Sequence, residues 1–196
     1  MWLPAGRGPH WLSLKRNAAI VDPDLPAHLM SKPKTNKIDH LNVVINGLEI
    51  GHSSMQGYRV SMEDAFIIDS LDSIEQHTVV AILDGHAGDG CSTISSTIFC
   101  DMLEATPQWS EYVAMGAITP KDAPSTRDLK LAKLKMALVQ AFCDLDKHLH
   151  SSDWMDGSGS TLVLALITPT HIICANVGDS RCVIGSGGKG ALSAVS

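Results

Sequence analysis

The alternation of apolar and polar residues predicts a series of short β-strands from about residue 47 onward. The apolar run at residues 79–83 is short and rich in β-branched side chains, which predicts a buried strand that ends abruptly at Asp84. The same pattern predicts further strands at residues 48–55, 65–68, 160–168 and 171–177, and the start of a last one at 182–184. A Pro-Thr turn joins the strands at 160–168 and 171–177, so these two are expected to form an antiparallel hairpin.

Helical periodicity predicts two helices that cover one face of a sheet. The first opens at residues 88–90, runs to Ala105 and is stopped by Pro107. Its predicted buried face consists of Ile94, Ile98, Met102 and Leu103. The second covers about residues 127–150, and Ser125 followed by Asp128 is a candidate capping box. Its core-facing residues are expected to be Leu134, Leu138, Ala141, Phe142, Leu145 and Leu149. Its lysines are expected mainly on the solvent-exposed face: Lys130, Lys133, Lys135 and Lys147.

Residues 1–46 have a different character and predict a flexible N-terminal arm, while residues 47–196 form the folded domain. The arm contains five prolines and scattered basic residues. Up to Ile20 it carries basic residues and no acid, which faintly resembles an organelle transit peptide, although serine is scarce and no cleavage signal is clear. An untethered arm is the preferred interpretation, with organelle targeting and a translation start at Met30 as alternatives.

Composition excludes several classes of function. The chain has 196 residues, 44% of them hydrophobic and 18% charged, which is typical of one globular domain with a sizeable core. Its 15 basic residues against 21 acidic ones give a net charge of -6, so there is no basic excess to recruit nucleic acid. No apolar run approaches the ~20 residues of a transmembrane span.

The cysteines favour a reducing compartment. There are five of them, an odd number, and no pair has C-x-x-C spacing, which argues against a disulfide framework or a zinc site. Reduced thiols in a cytoplasmic or nuclear setting fit this pattern, and Cys174 is expected to be a core residue because it lies in an apolar strand.

The end of the strand at 79–83 carries the first candidate chemistry. Asp84 offers hard oxygen ligands for a divalent cation, and the backbone carbonyl of Gly85 can add another. His86 can hold or give a proton near neutral pH. The alternative is a strand that stops at an ordinary Asp-Gly turn followed by an incidental histidine.

A second cluster lies upstream, at residues 57–65. Adjacent Glu63 and Asp64 point to different sides, so one carboxylate can face a metal while the other supports it. The planar guanidinium of Arg59 suits two oxygens of a phosphate. The alternative is an exposed ion-pair patch.

The segment at residues 176–181 adds a third acid. Asp179 ends the strand at 171–177 and either reaches the metal cluster or closes a turn and pairs with Arg181. Between these regions, Ser158, Ser160 and Thr161 suggest a serine nucleophile, but no Asp/His partner pattern accompanies them.

Four sequence motifs resemble the metal-dependent protein phosphatases of the type 2C family. They are GHSSMQGYRVSMEDA, VVAILDGHAG, DGSGST and ANVGDSR, which follow in this order between Gly51 and Arg181. Each motif alone is weak, but four in order with family-like spacing are specific. The resemblance implies an α+β fold: a partial α-β-β-α sandwich of two mostly antiparallel sheets flanked by helices, incomplete at the C-terminus.

The resemblance also implies a metal-dependent hydrolysis of phosphoserine and phosphothreonine in proteins. In the family, a water activated by two Mg²⁺ or Mn²⁺ ions attacks the phosphorus directly. Transferred to this sequence, Asp84 would bridge the metals and Gly85 would donate its carbonyl. Glu63 and Asp64 would hold metal-bound waters, and Asp179 would assist a third ion.

Two further roles follow from the same resemblance. Arg59 would clamp the substrate phosphate, and His86 would be the general acid for the leaving serine or threonine oxygen. The partners implied are phosphorylated proteins, and a monomer is favoured.

One departure from the family leaves two functions open. The family supplies further metal-binding aspartates from a later part of the catalytic domain, which this sequence lacks, so the chain is expected to be a fragment, a truncated gene product or an alternative isoform. It is either a Mg²⁺- or Mn²⁺-dependent phosphatase or a catalytically impaired module that binds phosphoproteins, through Arg59, or regulators.

Overall fold

The computed structural model describes residues 26–35, 38–151, 157–185 and 192–195, the side chains at 38–41 and 192–195 excepted. Within these residues the strands are β1 (Leu29–Lys34), β2 (Ile38–Ile45), β3 (Leu48–Ser54), β4 (Gly57–Arg59), β5 (Ala65–Ser70), β6 (Thr78–Leu83), β7 (Gly85–His86), β8 (Gly159–Ser160), β9 (Leu162–Ile167), β10 (Ile172–Val177), β11 (Cys182–Gly185) and β12 (Leu192–Val195). The helices are α1 (Gly90–Glu104), α2 (Pro107–Met115) and α3 (Pro124–His150).

The centre of the fold is an antiparallel four-stranded sheet in the order β10-β9-β6-β5. Strands β9 and β10 form the predicted hairpin, with Ile167 opposite Ile172 and Leu162 opposite Val177. The other described strands form antiparallel pairs: β1 with β4, β2 with β3, β7 with β8 and β11 with β12. An antiparallel sheet flanked by helices confirms the predicted α+β class.

The main core lies between this sheet and the helices. Alternate residues of β6 and β9 point to one face, where Val79 and Leu166 are fully buried opposite each other. The helices supply Phe99, Leu103 and Leu134, each also fully buried. Removal of such side chains from water is the dominant stabilising contribution, at about 25 cal/mol per Å² of apolar surface. The core therefore holds β5 and β6, and the loops that leave them, in fixed relative positions.

The opposite face of the sheet is less covered. There, Ile82 of β6 is 40% exposed, and Phe66 of β5 stacks on the His52 ring of β3 with 3.9 Å between ring centroids. Cys174 of β10 is opposite Ala165 and only half-buried. Its neighbours Ile173 and Ala175 pack against the core instead. The prediction that Cys174 is a core residue is therefore wrong, because strand alternation places it on the second face.

Helix α1 begins at Gly90, as predicted, whereas the starts of α2 and α3 were not predicted. Pro107 does not only stop α1; it begins α2, whose N-cap Thr106 accepts a hydrogen bond from the Trp109 amide at 3.2 Å. The capping box at Ser125 and Asp128 is wrong, because α3 starts earlier, with Pro124 in its first turn and no side-chain cap. Proline is well suited to that position, where an N–H would lack an intrahelical partner.

Two further side-chain predictions for the helices need correction. Lys130 was expected to face solvent, but it is only 5% exposed. Its ammonium pairs with Asp122 at 2.9 Å and donates to the Ala117 carbonyl at 3.0 Å. On α1, Leu103 is buried as predicted, whereas Ile94, Ile98 and Met102 are only partly buried. The buried face of α1 is rotated toward Cys91, Ser92, Ser95, Phe99, Cys100 and Leu103. Its small serines let the helix approach the end of the sheet closely.

Regular structure begins inside the segment that was predicted to be a flexible arm. Strand β1 pairs with β4, and β2 pairs with β3. Residues 1–25 of the predicted arm, and the translation start and targeting hypotheses that involve them, lie outside the described residues. Among the helices that are described, none combines the length and apolar character needed to cross a bilayer.

Candidate active site

The register of the central sheet brings two carboxylates to the same edge. Strand β5 begins directly after Asp64, strand β6 ends directly before Asp84, and their end residues Ala65 and Leu83 are paired. Asp64 and Asp84 therefore leave adjacent antiparallel strands side by side. Both line a cavity of about 360 Å³, which Arg181 also lines.

The electrostatics of Asp64 reflect this arrangement. Partial burial raises the pKa of the Asp64 carboxyl, and the neighbouring charge of Asp84 raises it further, while the Arg59 guanidinium opposes the shift. Two carboxylates that repel each other beside a cavity form a site where a cation is stabilised. Hard oxygen donors of this kind fit Mg²⁺ or Mn²⁺ in chemical type.

Gly85 is fixed by its surroundings. It is buried, and a Cβ atom at this position would lie 2.2 Å from the Glu63 carbonyl oxygen and 2.8 Å from Ser92 Oγ. The Ser92 hydroxyl donates a hydrogen bond to that same carbonyl. The residue after Asp84 thus packs directly on the backbone before Asp64, which locks the two acidic segments together through a contact that only glycine allows.

Thr161, which the sequence suggested only as part of a nucleophile pattern without partners, connects Asp84 to the turn at 178–181. Its amide donates to the Asp84 carbonyl at 2.9 Å, and its Oγ1 accepts from the Asp84 amide at 3.2 Å. The same Oγ1 lies 2.7 Å from Ser180 Oγ. Gly178, with φ of +104°, passes so close that a Cβ atom there would be 2.7 Å from the threonine methyl. The only sequence signal for this role is that Thr161 lies at the start of the predicted strand at 160–168, directly after the Gly-Ser turn.

The His86 side chain does not line the cavity of the two acids. His86 is exposed, and its imidazole lies over Gly159, where a Cβ atom would be 2.4 Å from Nε2. It lines a neighbouring cavity of about 580 Å³, whose other wall includes Leu149 of α3. The backbone pairing of Gly85 with Ser160 and of His86 with Gly159 turns the imidazole to this side.

The remaining candidates surround the acid pair at different positions. The Glu63 carboxylate accepts a hydrogen bond from Ser61 at 2.9 Å, and Asp179 is exposed in the turn whose next residue, Ser180, lines the acid cavity. Arg59 is exposed at the end of β4 and close enough to influence Asp64. In the part of the chain that the structure describes, no three His, Cys, Asp or Glu side chains are grouped closely enough to hold a metal ion. The structure thus brings Asp64 and Asp84 to one cavity, with the charges of Arg59 and Glu63 near enough to shift the pKa of Asp64. The side chains of His86 and Asp179 do not line that cavity.

These features define an α+β protein with paired carboxylates at a sheet end beside guanidinium groups. The chain belongs to the protein phosphatase 2C family, whose sequence pattern matches residues 48–195. Among its relatives, protein phosphatase ppm-1.A of Caenorhabditis elegans is 31% identical over 178 residues, which are 89% of this chain and 37% of that protein. Protein phosphatase 1B of Homo sapiens is 34% identical over 166 residues, which are 82% of this chain and 33% of that protein.

The fold agrees with this family. The serine-threonine phosphatase 2C from Toxoplasma gondii superposes with a TM-score of 0.59 at 19% identity, over 87% of this chain and 51% of that one. The chain therefore spans well under two thirds of the length of these relatives. Dependence on divalent metal ions is a general property of the family, and none of these similarities supports the alternative of a non-catalytic binding module.

Proposed function

We propose that this chain carries part of the active site of a metal-dependent protein phosphatase that hydrolyses phosphoserine and phosphothreonine. The observation that carries the proposal is the convergence of Asp64 and Asp84 on one cavity at the paired ends of β5 and β6. Membership of the protein phosphatase 2C family over residues 48–195 supports the same reaction class.

The residues proposed to hold Mg²⁺ or Mn²⁺ are those of the two strand ends. Asp84 and the Gly85 carbonyl would bind directly, and Asp64 and Glu63 would hold metal-bound waters. When bound, such ions activate a water and neutralise phosphoryl oxygens, which is the chemistry that the carboxylates themselves do not supply. Asp179, which lies two residues before Arg181, is proposed to assist a third ion.

The cationic and proton-carrying groups complete the proposal. Arg59 would bind the substrate phosphate through its planar fork, and Arg181, which lines the acid cavity, is a second guanidinium within that region. His86 would give a proton to the leaving oxygen of serine or threonine, because imidazole exchanges protons near neutral pH. This role requires the ring to turn from the neighbouring cavity toward the acid pair.

The setting proposed for this activity is a monomer in the cytoplasm or nucleus that acts on phosphorylated proteins. The five free cysteines among the described residues are consistent with a reducing compartment.

The direct test is hydrolysis of a phosphothreonine peptide by this chain in the presence of Mn²⁺. Turnover is expected in the parent chain, and chelation with EDTA or the variant Asp84→Asn should reduce it to the background rate. Asp128→Asn is the matched control, because this exposed acid lies in α3 and does not line the acid cavity. Undiminished Mn²⁺-dependent turnover in Asp84→Asn would contradict the proposal.

A further inference from the structure

Two cysteines face each other across the turn that follows β10. Cys174 lies in β10 and Cys182 is the first residue of β11, and their sulfur atoms are 3.4 Å apart. Both side chains are half-buried, so a small reagent can reach them. Cys91 and Cys100 are buried, whereas Cys143 is exposed on α3. The thiols of Cys174 and Cys182 are in direct contact.

We propose that Cys174 and Cys182 form a reversible redox site, in which a hydroperoxide converts the two thiols to an intramolecular disulfide. A disulfide needs a sulfur–sulfur distance of about 2.05 Å. The two sulfur atoms are separated by 3.4 Å, a gap that small side-chain rotations can close. The proposal is independent of the phosphatase reaction.

The reaction proceeds in two steps. The Cys182 thiolate attacks one peroxide oxygen, the O–O bond breaks, and a sulfenic acid forms while hydroxide leaves and takes up the thiol proton to become water. The Cys174 sulfur then attacks the sulfenic sulfur, the S–S bond forms, the S–O bond breaks, and the second water leaves with the Cys174 proton. Two thiols are oxidised and one hydroperoxide is reduced.

The order of the two cysteines follows from their surroundings. Burial, reinforced by contact with Cys182, raises the pKa of the Cys174 thiol to about 11. At neutral pH this group is almost entirely a thiol, which is a poor first nucleophile. Cys174 therefore serves as the resolving partner, and the sulfenic acid forms on Cys182.

The disulfide would connect β10 to β11 across the turn at residues 178–181. This turn contains Asp179, and its Ser180 hydroxyl is hydrogen-bonded to the Thr161 hydroxyl. Thr161 Oγ1 also accepts a hydrogen bond from the Asp84 amide. Oxidation would therefore restrict a segment that lines the acid cavity. A loop this short gains less chain-entropy stabilisation from closure than a long one, and dithiothreitol is expected to reverse the bond.

Peptide mapping tests the proposal, because trypsin cleaves after Arg181 and so separates the two cysteines into peptides 148–181 and 182–189. After exposure of the native parent chain to hydrogen peroxide and alkylation of the remaining thiols, these two peptides should appear joined, and dithiothreitol should release them. Oxidation in urea should give a lower yield, because proximity in the fold is then lost. The joined peptides should persist in Cys143→Ser.

Single variants identify the order of events. In Cys174→Ser, a dimedone adduct should accumulate on Cys182, whereas Cys182→Ser should give little adduct on Cys174. Finding both cysteines of the native parent separately alkylated after peroxide, or oxidised to sulfinic acids without a joined peptide, would overturn the proposal. So would a yield in urea equal to the native yield.

Discussion

Gly85 is the residue whose identity the site constrains most tightly. In Gly85→Ala the new methyl would meet the Glu63 carbonyl oxygen at 2.2 Å, and backbone atoms cannot rotate away as a side chain can. We expect a loss of about 1–3 kcal/mol in the free energy of unfolding, measured by urea denaturation. Phosphatase turnover should fall by about 100-fold, because a displaced Asp84 spoils the geometry of the proposed site.

Gly51→Ala is the control for this prediction. Its Cβ would meet only Asn42 Oδ1, at 3.6 Å, which is ordinary van der Waals contact. Its stability should stay within about 0.5 kcal/mol of the parent. Equal stability and equal activity in the two variants would show that the close approach at Gly85 does not organise the site.

Thr161 provides a second test at the scale of one residue. Thr161→Val keeps the shape of the side chain but removes the oxygen that accepts from the Asp84 amide and contacts Ser180. The loss of these two hydrogen bonds should lower the free energy of unfolding by about 1–3 kcal/mol and reduce turnover. Thr161→Ser, which keeps the hydroxyl, should retain most of the activity; a valine variant as stable and as active as the parent would contradict the role assigned to the hydroxyl.

The sequence predicted the acidic residues of the site, but not the residues whose hydrogen bonds hold them in place. Asp84 and Asp64 were recognisable because each adjoins an apolar strand, and a strand end is where a polar side chain can leave the core. Thr161 and Ser92 were not recognisable, because their roles depend on contacts with residues that are distant in the chain. The sequence also could not predict which cavity the His86 imidazole lines, because this depends on the pairing of Gly85–His86 with Gly159–Ser160.

At the scale of elements, His77 joins the start of β6 to α2. This histidine is fully buried; its Nδ1 donates to the Glu75 carbonyl at 2.8 Å, so its Nε2 accepts from the Tyr112 hydroxyl at 2.7 Å. The neutral ring satisfies both contacts, and burial lowers the pKa of His77. Protonation would remove the acceptor and leave a charge in the core.

A pH dependence of stability follows from the lowered pKa. Below the unfolded pKa of about 6.5, the unfolded chain binds a proton that the folded His77 resists, so the free energy of unfolding should fall as the pH decreases. Above that pKa the contribution of His77 is constant. Urea midpoints measured on both sides of that pKa should show this decrease in the parent and less of it in His77→Gln.

His148→Gln is the matched control, because His148 is exposed on α3. It should retain the pH dependence of the parent. An identical dependence in the parent and in His77→Gln would contradict the interpretation of the buried histidine.

Secondary structure was predicted well where a regular spacing of apolar residues continued over a whole element. The prediction failed where tertiary contacts decided the outcome. The strands β6, β9 and β10 and the long helix α3 were predicted from apolar spacing. Helix α2 was not, because its short sequence has little periodicity and is held by burial of Trp109 and Tyr112. Lys130 was placed on the wet side because the sequence cannot show that Asp122 and the Ala117 carbonyl enclose its ammonium.

At the scale of the whole molecule, the order of the four central strands decides where the two acids of the proposed site lie. Asp64 precedes β5 and Asp84 follows β6, and they lie side by side because these two strands pair antiparallel. The sequence predicted that side chains from two strand ends meet, because the motifs resemble a known family. The pairing of β5 with β6 could not be predicted from either strand alone, because the register depends on which face of each strand the core buries.

Calorimetric titration with Mn²⁺ tests this account most directly, because it measures the proposed cation site without requiring turnover. The parent chain should bind Mn²⁺, Asp84→Asn should lose binding, and Asp128→Asn should bind as the parent does. Mn²⁺ binding that is absent from the parent, or unchanged in Asp84→Asn, would contradict the claim that the paired ends of β5 and β6 form a divalent-cation site.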